Sequence, residues 1–296
     1  MQYRPLGETG IDASILSFGA SSLGSVFHAT DDSESVEVVH EAVKSGINYI
    51  DTAPWYGHGK SETVLGKALE GIPRECYIVA TKVGRYLPQT EKMFDFSAER
   101  TLQSVDESLA RLGLTYVDII QVHDMEFAEN LDIIINETLP ALQKVKDTGK
   151  ARFIGITGYP LENFRCWCGE CVPNKHGALS ERGPPAWHPA HEDIKTACAE
   201  ASKYCKSKQT DISRLAMAFT LRQEEIPTTL VSTARYNNLN NLRKNIESVY
   251  KPLTAEENTV LKEVMDKFMT PLCNKNWEGV EVADYRKRLQ ALVQSS

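Results

Sequence analysis

No run of about 18 apolar residues occurs in the 296-residue sequence, so no segment is expected to cross a membrane. The first residues, Met1-Gln2-Tyr3-Arg4-Pro5-Leu6-Gly7, lack the apolar stretch of a secretory signal peptide. Basic residues do not predominate. The net charge is −7, which disfavours nucleic acid and anionic membranes as partners. The Gly-x-Gly-x-x-Gly fingerprint of a doubly wound dinucleotide fold is missing. No internal repeat or low-complexity segment interrupts the chain. The expectation is a cytoplasmic monomer that handles small molecules, with its seven cysteines as reduced thiols. A glycosylation sequon, Asn136-Glu137-Thr138, is expected to be silent in that compartment.

What is present is an ordinary globular balance, 42% apolar and 25% charged, at a length that α/β barrels reach as one domain. Residues 1–18 suggest a small hairpin leading into a first strand, Ala13–Phe18. It runs into Gly19-Ala20-Ser21-Ser22-Leu23-Gly24, small residues that permit a close backbone approach. Asp31-Asp32-Ser33 then caps a helix with Val36, Val39, Ala42 and Val43 on one face, and Gly46 ends it. Strand Asn48–Ala53 stops at Pro54. Ser61 opens the next helix, followed by strand Cys76–Gly84, helix Ala98–Leu112 capped by Ser97, and strand Tyr116–Asp124. Helix Glu137–Lys146 and strand Ala151–Gly158 complete the alternation. Strands separated by helices predict a parallel α/β sheet. Residues 159–190, rich in proline and cysteine, break the pattern. Helices Glu192–Lys206 and Ile212–Arg222 follow, then strand Ile226–Ala234 and helices Asn241–Val249, Ala255–Phe268 and Val282–Val293.

Four polar residues recur at equivalent places in this alternation. Asp51 closes one strand, with Tyr56 in the loop beyond it; Lys82 and His123 lie near the ends of the next two. In a parallel sheet these tips share one face, where such folds build active sites. A lysine after Ile78-Val79-Ala80-Thr81 is expected to be buried and to need a partner, and Asp51 is the nearest. A free tyrosine has a pKa of about 10. A neighbouring ammonium is expected to lower that of Tyr56, with His123 orienting a carbonyl oxygen. The result would be a proton relay suited to an alkoxide formed or consumed by hydride transfer.

These residues lie in motifs that resemble the aldo-keto reductase family: Phe18-Gly19-Ala20, Asn48-Tyr49-Ile50-Asp51-Thr52-Ala53-Pro54-Trp55-Tyr56-Gly57, Val79-Ala80-Thr81-Lys82, Asp118-Ile119-Ile120-Gln121-Val122-His123 and Gly149-Lys150-Ala151-Arg152-Phe153-Ile154-Gly155-Ile156. Phe94-Asp95-Phe96-Ser97-Ala98-Glu99-Arg100 and Gly183-Pro184-Pro185-Ala186-Trp187-His188-Pro189 are similar to its L-galactose dehydrogenase subgroup. The resemblance implies a (β/α)8 barrel, a catalytic tetrad of Asp51, Tyr56, Lys82 and His123, and hydride transfer between a nicotinamide and a sugar or aldehyde. Gly19, Ala20, Asp51, Thr157, Ser232, Thr233, Arg235, Asn241 and Asn245 match family positions around the cofactor. NAD and NADP both remain open: Arg235 and Arg243 could meet a 2′-phosphate, whereas the subgroup favours NAD.

The chain departs from that family between Gly158 and Gly183. Only 24 residues lie there, whereas two strand–helix units need roughly 50–70, since one βαβ unit is about 30. The expected product is a single domain over 1–296 that is an incomplete barrel. About six parallel strands and an N-terminal hairpin remain, with the irregular segment 159–190 in place of two units. A chain so shortened could alternatively be a non-catalytic homologue that serves as a binding or regulatory protein. The segment's Cys166-x-Cys168-x2-Cys171-x4-His176 does not have the usual paired spacing of a zinc site, and no metal is expected. Gly57-His58-Gly59-Lys60-Ser61 resembles the end of a phosphate-binding loop, but Pro54 stands where that motif needs glycine.

Overall fold

A hairpin opens the chain, β1 (Tyr3–Pro5) pairing antiparallel with β2 (Asp12–Ser14). The computed structural model describes residues 1–26, 28–159, 188–233 and 239–295. The single strand expected over Ala13–Phe18 is in fact divided at Ile15. Ser14 accounts for the break: its hydroxyl donates to the Leu16 carbonyl (2.7 Å), and its N–H donates to Asn48 Oδ1 (2.8 Å). Side chains thus take the backbone groups that a continuous ladder would have used.

Beyond the break lie β3 (Leu16–Gly19), β4 (Tyr49–Asp51), β5 (Ile78–Val83), β6 (Val117–Val122), β7 (Ala151–Ile156) and β8 (Thr229–Val231). They form one parallel six-stranded sheet in the order β7-β6-β5-β4-β3-β8. The expected open sheet of about six strands is therefore found. Among the described residues no further strand pairs with the outer side of β7 or β8. Strand β8 is shorter than the expected Ile226–Ala234 because Pro227 has no N–H for a ladder.

Alternation along the strands sorts side chains between two layers. Phe18, Ile50, Val79, Val83, Ile120 and Val122 join the main core beneath the helices α1 (Asp32–Lys44), α2 (Lys60–Leu69), α3 (Ala98–Leu112) and α4 (Leu139–Asp147). Tyr49, Ala80 and Ile119 turn to the other face, against Phe153 and Leu230. Several expected boundaries hold. Asp31 caps α1, Ser97 caps α3, and Gly113 ends α3 in the left-handed conformation. The helix expected from Glu137 starts earlier, with a turn at Leu131–Ile133 and a wider π-turn at Ile134–Thr138. Pro140 follows that turn and cannot donate a helical hydrogen bond, which suits the wider spacing.

A second cluster joins α5 (Glu192–Ser207), α6 (Ile212–Leu221) and α8 (Ala255–Val264) through Ala201, Cys205, Leu215, Val260 and Val264. Between α6 and α8 lies α7 (Leu239–Tyr250). The tail helix α9 (Val280–Ser295) reaches back to the sheet, where Tyr285 meets Phe94 and Phe127 edge-on at 5.1 and 5.6 Å. No helix among the described residues is long and apolar enough to cross a membrane. Most of the segment 159–190, including Cys166, Cys168, Cys171 and His176, lies outside the described residues, as does Arg235.

Candidate active site

Three neighbouring strands deliver three of the four polar residues to one place. Asp51 is the last residue of β4, Lys82 the fifth of β5, and His123 the first beyond β6. All three are buried and fall on the inner face by the two-residue period. The Lys82 ammonium donates to Asp51 Oδ1 (2.5 Å), to the Thr52 carbonyl (2.8 Å) and to the Tyr56 hydroxyl (3.4 Å). Tyr56 stands edge-on to His123, with ring centroids 5.8 Å apart. The opposite ends of the strands carry a different cluster. There Asp118 binds Arg74, Arg152 (2.8 Å) and the Val79 N–H (2.9 Å), an arrangement that ties strands together.

Tyr56 comes from a loop, so its position depends on what the loop rests on. Glycine meets glycine there. A Cβ on Gly24 would lie 2.3 Å from the Tyr56 carbonyl oxygen, and one on Gly57 would lie 2.0 Å from the Gly24 oxygen. Gly57 also has φ +66°, a region that glycine enters readily. Ser61, expected to open this helix, is the second residue of α2, whose cap position is Gly59. Its hydroxyl is fully buried, donates to the Ala20 carbonyl (2.7 Å) and meets Thr52 Oγ1 (2.9 Å). The residue following Asp51 is thereby fastened to the loop after β3.

Charge is distributed unevenly over the four groups. Burial works against the Lys82 ammonium, yet Asp51 and Tyr56 outweigh it and hold the pKa above the usual lysine value. The expected lowering of Tyr56 is not what the structure gives. Burial pushes the phenol above its ordinary value; Lys82 pulls it down, but Asp51 and Asp124 add to the rise. Tyr56 is therefore protonated at neutral pH. Burial drives His123 down to about 3, Lys82 and Arg85 reinforcing it and Asp124 opposing. The imidazole is neutral, and its buried Nδ1 has no hydrogen-bond partner.

Around this group lie further contacts that the sequence does not announce. Arg85 NH1 binds Asp124 Oδ2 at 2.6 Å, and the same oxygen is 3.6 Å from His123 Nε2. The guanidinium lies over the rings of Trp55 (4.2 Å), Phe94 (5.2 Å) and Phe127 (5.7 Å). Behind Lys82, buried Glu62 accepts from Thr81 Oγ1 (2.6 Å) and Arg111 Nε (2.7 Å). The strand-tip rule that found Lys82 and His123 also points to Arg85 and Asp124, each two residues beyond the end of its strand.

The residues expected around a cofactor divide into two groups. Gly19 ends β3 and Ala20 follows it, and Ser232 and Thr233 follow its neighbour β8. Ser232 Oγ lies 2.7 Å from Ser22 Oγ and accepts the Ser22 N–H at 3.3 Å, linking the two loops. Asn241 and Asn245 lie one turn apart at the start of α7, whose first turn carries no acidic residue. Thr157 is elsewhere, beyond β7 at the other edge of the sheet. Its hydroxyl receives the Asp124 N–H at 3.0 Å.

Comparison with known proteins agrees with this picture. The model of the Aldo/keto reductase family matches residues 15–173. L-galactose dehydrogenase of Arabidopsis thaliana is 40% identical over 319 residues, covering 94% of this chain and 97% of that protein. The aligned length exceeds the 296 residues here, so the relative holds residues that this chain lacks. D-threo-aldose 1-dehydrogenase of Pseudomonas sp is 36% identical over 167 residues, covering 50% of each chain. In fold, the chain is similar to an aldo-keto reductase of Bacillus halodurans in its holo form, with TM-score 0.64 and 24% identity over 89% of this chain and 96% of that one. The parallel sheet, the polar group at its tips and these likenesses agree, and the chain belongs to the aldo/keto reductase family of nicotinamide-dependent oxidoreductases.

Proposed function

We propose that the chain transfers hydride between NAD and C1 of an aldose, with L-galactose the leading candidate. Tyr56 is the proton donor and acceptor. The observation that carries this reading is the contact of one buried ammonium, Lys82, with both Asp51 and the Tyr56 hydroxyl, beside a neutral His123.

The residues present fit a dinucleotide. Gly19, Ala20, Ser232 and Thr233 gather at the tips of β3 and β8, and the start of α7 offers Asn241 and Asn245 without a competing carboxylate in its first turn. A bound nicotinamide supplies the hydride in reduction and accepts it in oxidation. In reduction, His123 donates a hydrogen bond from its one imidazole N–H to the carbonyl oxygen and polarises it, keeping its proton. Tyr56 then gives its phenol proton to the forming alkoxide. The phenolate left behind is stabilised by Lys82, and Asp51 fixes that ammonium in place. Oxidation runs the same path in reverse, with Tyr56 taking the hydroxyl proton. The raised pKa keeps the phenol protonated, and so available as a donor, at neutral pH, and Lys82, which pulls that pKa down, is the group that makes both proton transfers accessible.

Sugar as substrate follows from the likeness to two sugar dehydrogenases. NAD is supported by Arg243, a candidate for a 2′-phosphate, which is paired with Glu41 at 3.0 Å. The test is the absorbance of NADH formed from NAD and L-galactose by the purified chain, with NADP and propanal reduction run in parallel. Turnover with L-galactose that is faster with NAD is expected. No turnover in either direction with either cofactor would overturn the reading.

A further inference from the structure

We propose that the Arg85–Asp124 ion pair determines specificity at this site: Asp124 accepts a hydrogen bond from the hydroxyl next to the reacting carbon. The site then takes 2-hydroxy aldehydes and sugars in preference to plain aldehydes. The inference rests on the sugar reading above and assigns the residue that enforces it.

Position comes first. Asp124 directly follows His123 and has φ +51°, an uncommon conformation for a residue other than glycine. Three hydrogen bonds keep it there. Its N–H donates to Thr157 Oγ1 (3.0 Å), the Met125 N–H donates to the Thr157 carbonyl (3.1 Å), and the Asp124 carbonyl accepts the Phe127 N–H (3.0 Å). The backbone turn therefore brings the carboxylate alongside the imidazole, with Oδ2 3.6 Å from His123 Nε2. An oxygen held by His123 and Tyr56 would have its neighbouring hydroxyl within reach of that carboxylate.

Chemistry comes second. Oδ2 takes both the Arg85 contact and the approach of His123, so Oδ1 has no donor among the described residues. The side chain is 19% exposed, open enough to meet a ligand and dry enough for the bond to count. Arg85 cannot easily swing to the free oxygen, because Trp55, Phe94 and Phe127 enclose its guanidinium. Burial works against the charge on Asp124, but Arg85, by its charge and its hydrogen bond, holds the carboxyl below the ordinary value and so ionised. A carboxylate with one vacant oxygen wants an O–H donor. A plain aldehyde has none, whereas a 2-hydroxy aldehyde or a sugar has one next to the reacting carbon. The site penalises the analogue that leaves such a group unpaired.

The experiment measures kcat/KM for an aldohexose, its 2-deoxy analogue and propanal, in the wild type, Asp124→Ala and Asp124→Asn. Cofactor titration and a thermal melt of each variant establish that it is folded. A hydrogen bond to a charged group predicts that the wild type favours the aldohexose over its 2-deoxy analogue by about tenfold to a hundredfold. That ratio should fall close to unity in Asp124→Ala. Asp124→Asn, which keeps a neutral acceptor, should give an intermediate ratio. If folded variants keep the wild-type ratio, or the wild type shows no preference, Asp124 only buttresses Arg85 and the proposal is wrong. Failure of the sugar reading looks different: the wild type then reduces propanal but accepts no sugar, and the proposal falls with it.

Discussion

Gly24→Ala should disable the enzyme without touching any of its polar groups. The added Cβ would lie 2.3 Å from the Tyr56 oxygen, 2.5 Å from its carbonyl carbon and 2.9 Å from the Gly57 nitrogen. All three are backbone atoms, so no side chain can turn aside to make room. An ordinary carbon–oxygen contact begins at 3.4 Å, which means that one loop must retreat from the other by about an ångström. Ser61 ties both loops, its hydroxyl to the Ala20 carbonyl (2.7 Å) and its N–H to the Tyr56 carbonyl (3.1 Å), so a retreat between them disturbs the setting of Tyr56. Its hydroxyl already sits at the limit of hydrogen-bond distance from Lys82, 3.4 Å, and has no slack to lose. A misplacement of about 1 Å costs on the order of a hundredfold in turnover. Steady-state aldehyde reduction at saturating NADH, beside a fluorescence titration of NADH, separates this from lost cofactor binding. The expected result is a kcat lower by about a hundredfold with cofactor affinity changed only a fewfold. Full turnover in Gly24→Ala would refute the claim that this backbone contact positions the tyrosine.

Other expectations concern charge. Lys82→Met leaves Asp51 buried with no cation beside it, and breaking such a pair costs about 3–5 kcal/mol in urea unfolding; an unchanged unfolding midpoint would argue against the pairing. Glu126 supplies a pH dependence of stability. Burial and Asp124 raise its carboxyl from the ordinary 4.5 to about 8, so the folded state holds the proton more tightly than the unfolded one. Its stabilisation is complete below pH 4.5 and is lost as pH rises through about 8. Melting temperature should therefore decline over that window, and Glu126→Gln should flatten the decline; an unaltered slope in the variant would assign it to another group.

Much of this architecture is legible in the chain because it is local or periodic. The bounds of α3 follow from Ser97 and Gly113, which cap and stop it by their own chemistry. The shared face of Asp51, Lys82 and His123 follows from a two-residue period and the parallel sheet. The open sheet follows from counting residues between Gly158 and Gly183. What is hidden depends on groups distant in sequence. Nothing near Tyr56 announces that Gly24 lies against its carbonyl, nor that Phe94, Phe127 and Trp55 converge on Arg85. The direction of the Tyr56 shift was hidden for a related reason. A sequence shows Lys82 as a neighbour but not the burial that outweighs it. Ser61 has the chemistry of a cap, yet tertiary bonds to Ala20 and Thr52 claim its hydroxyl instead.

The most direct test of the account is Tyr56→Phe, which removes one oxygen and leaves the ring against His123. NADH-dependent aldehyde reduction and NADH affinity would be measured on the same preparation. General acid catalysis contributes about a hundredfold to ten-thousandfold, so turnover should fall by at least about a hundredfold. NADH affinity should stay within a fewfold of the wild type, because the hydroxyl acts on the substrate oxygen. A Tyr56→Phe chain that reduces aldehydes as fast as the wild type would contradict the central claim that this phenol carries the proton.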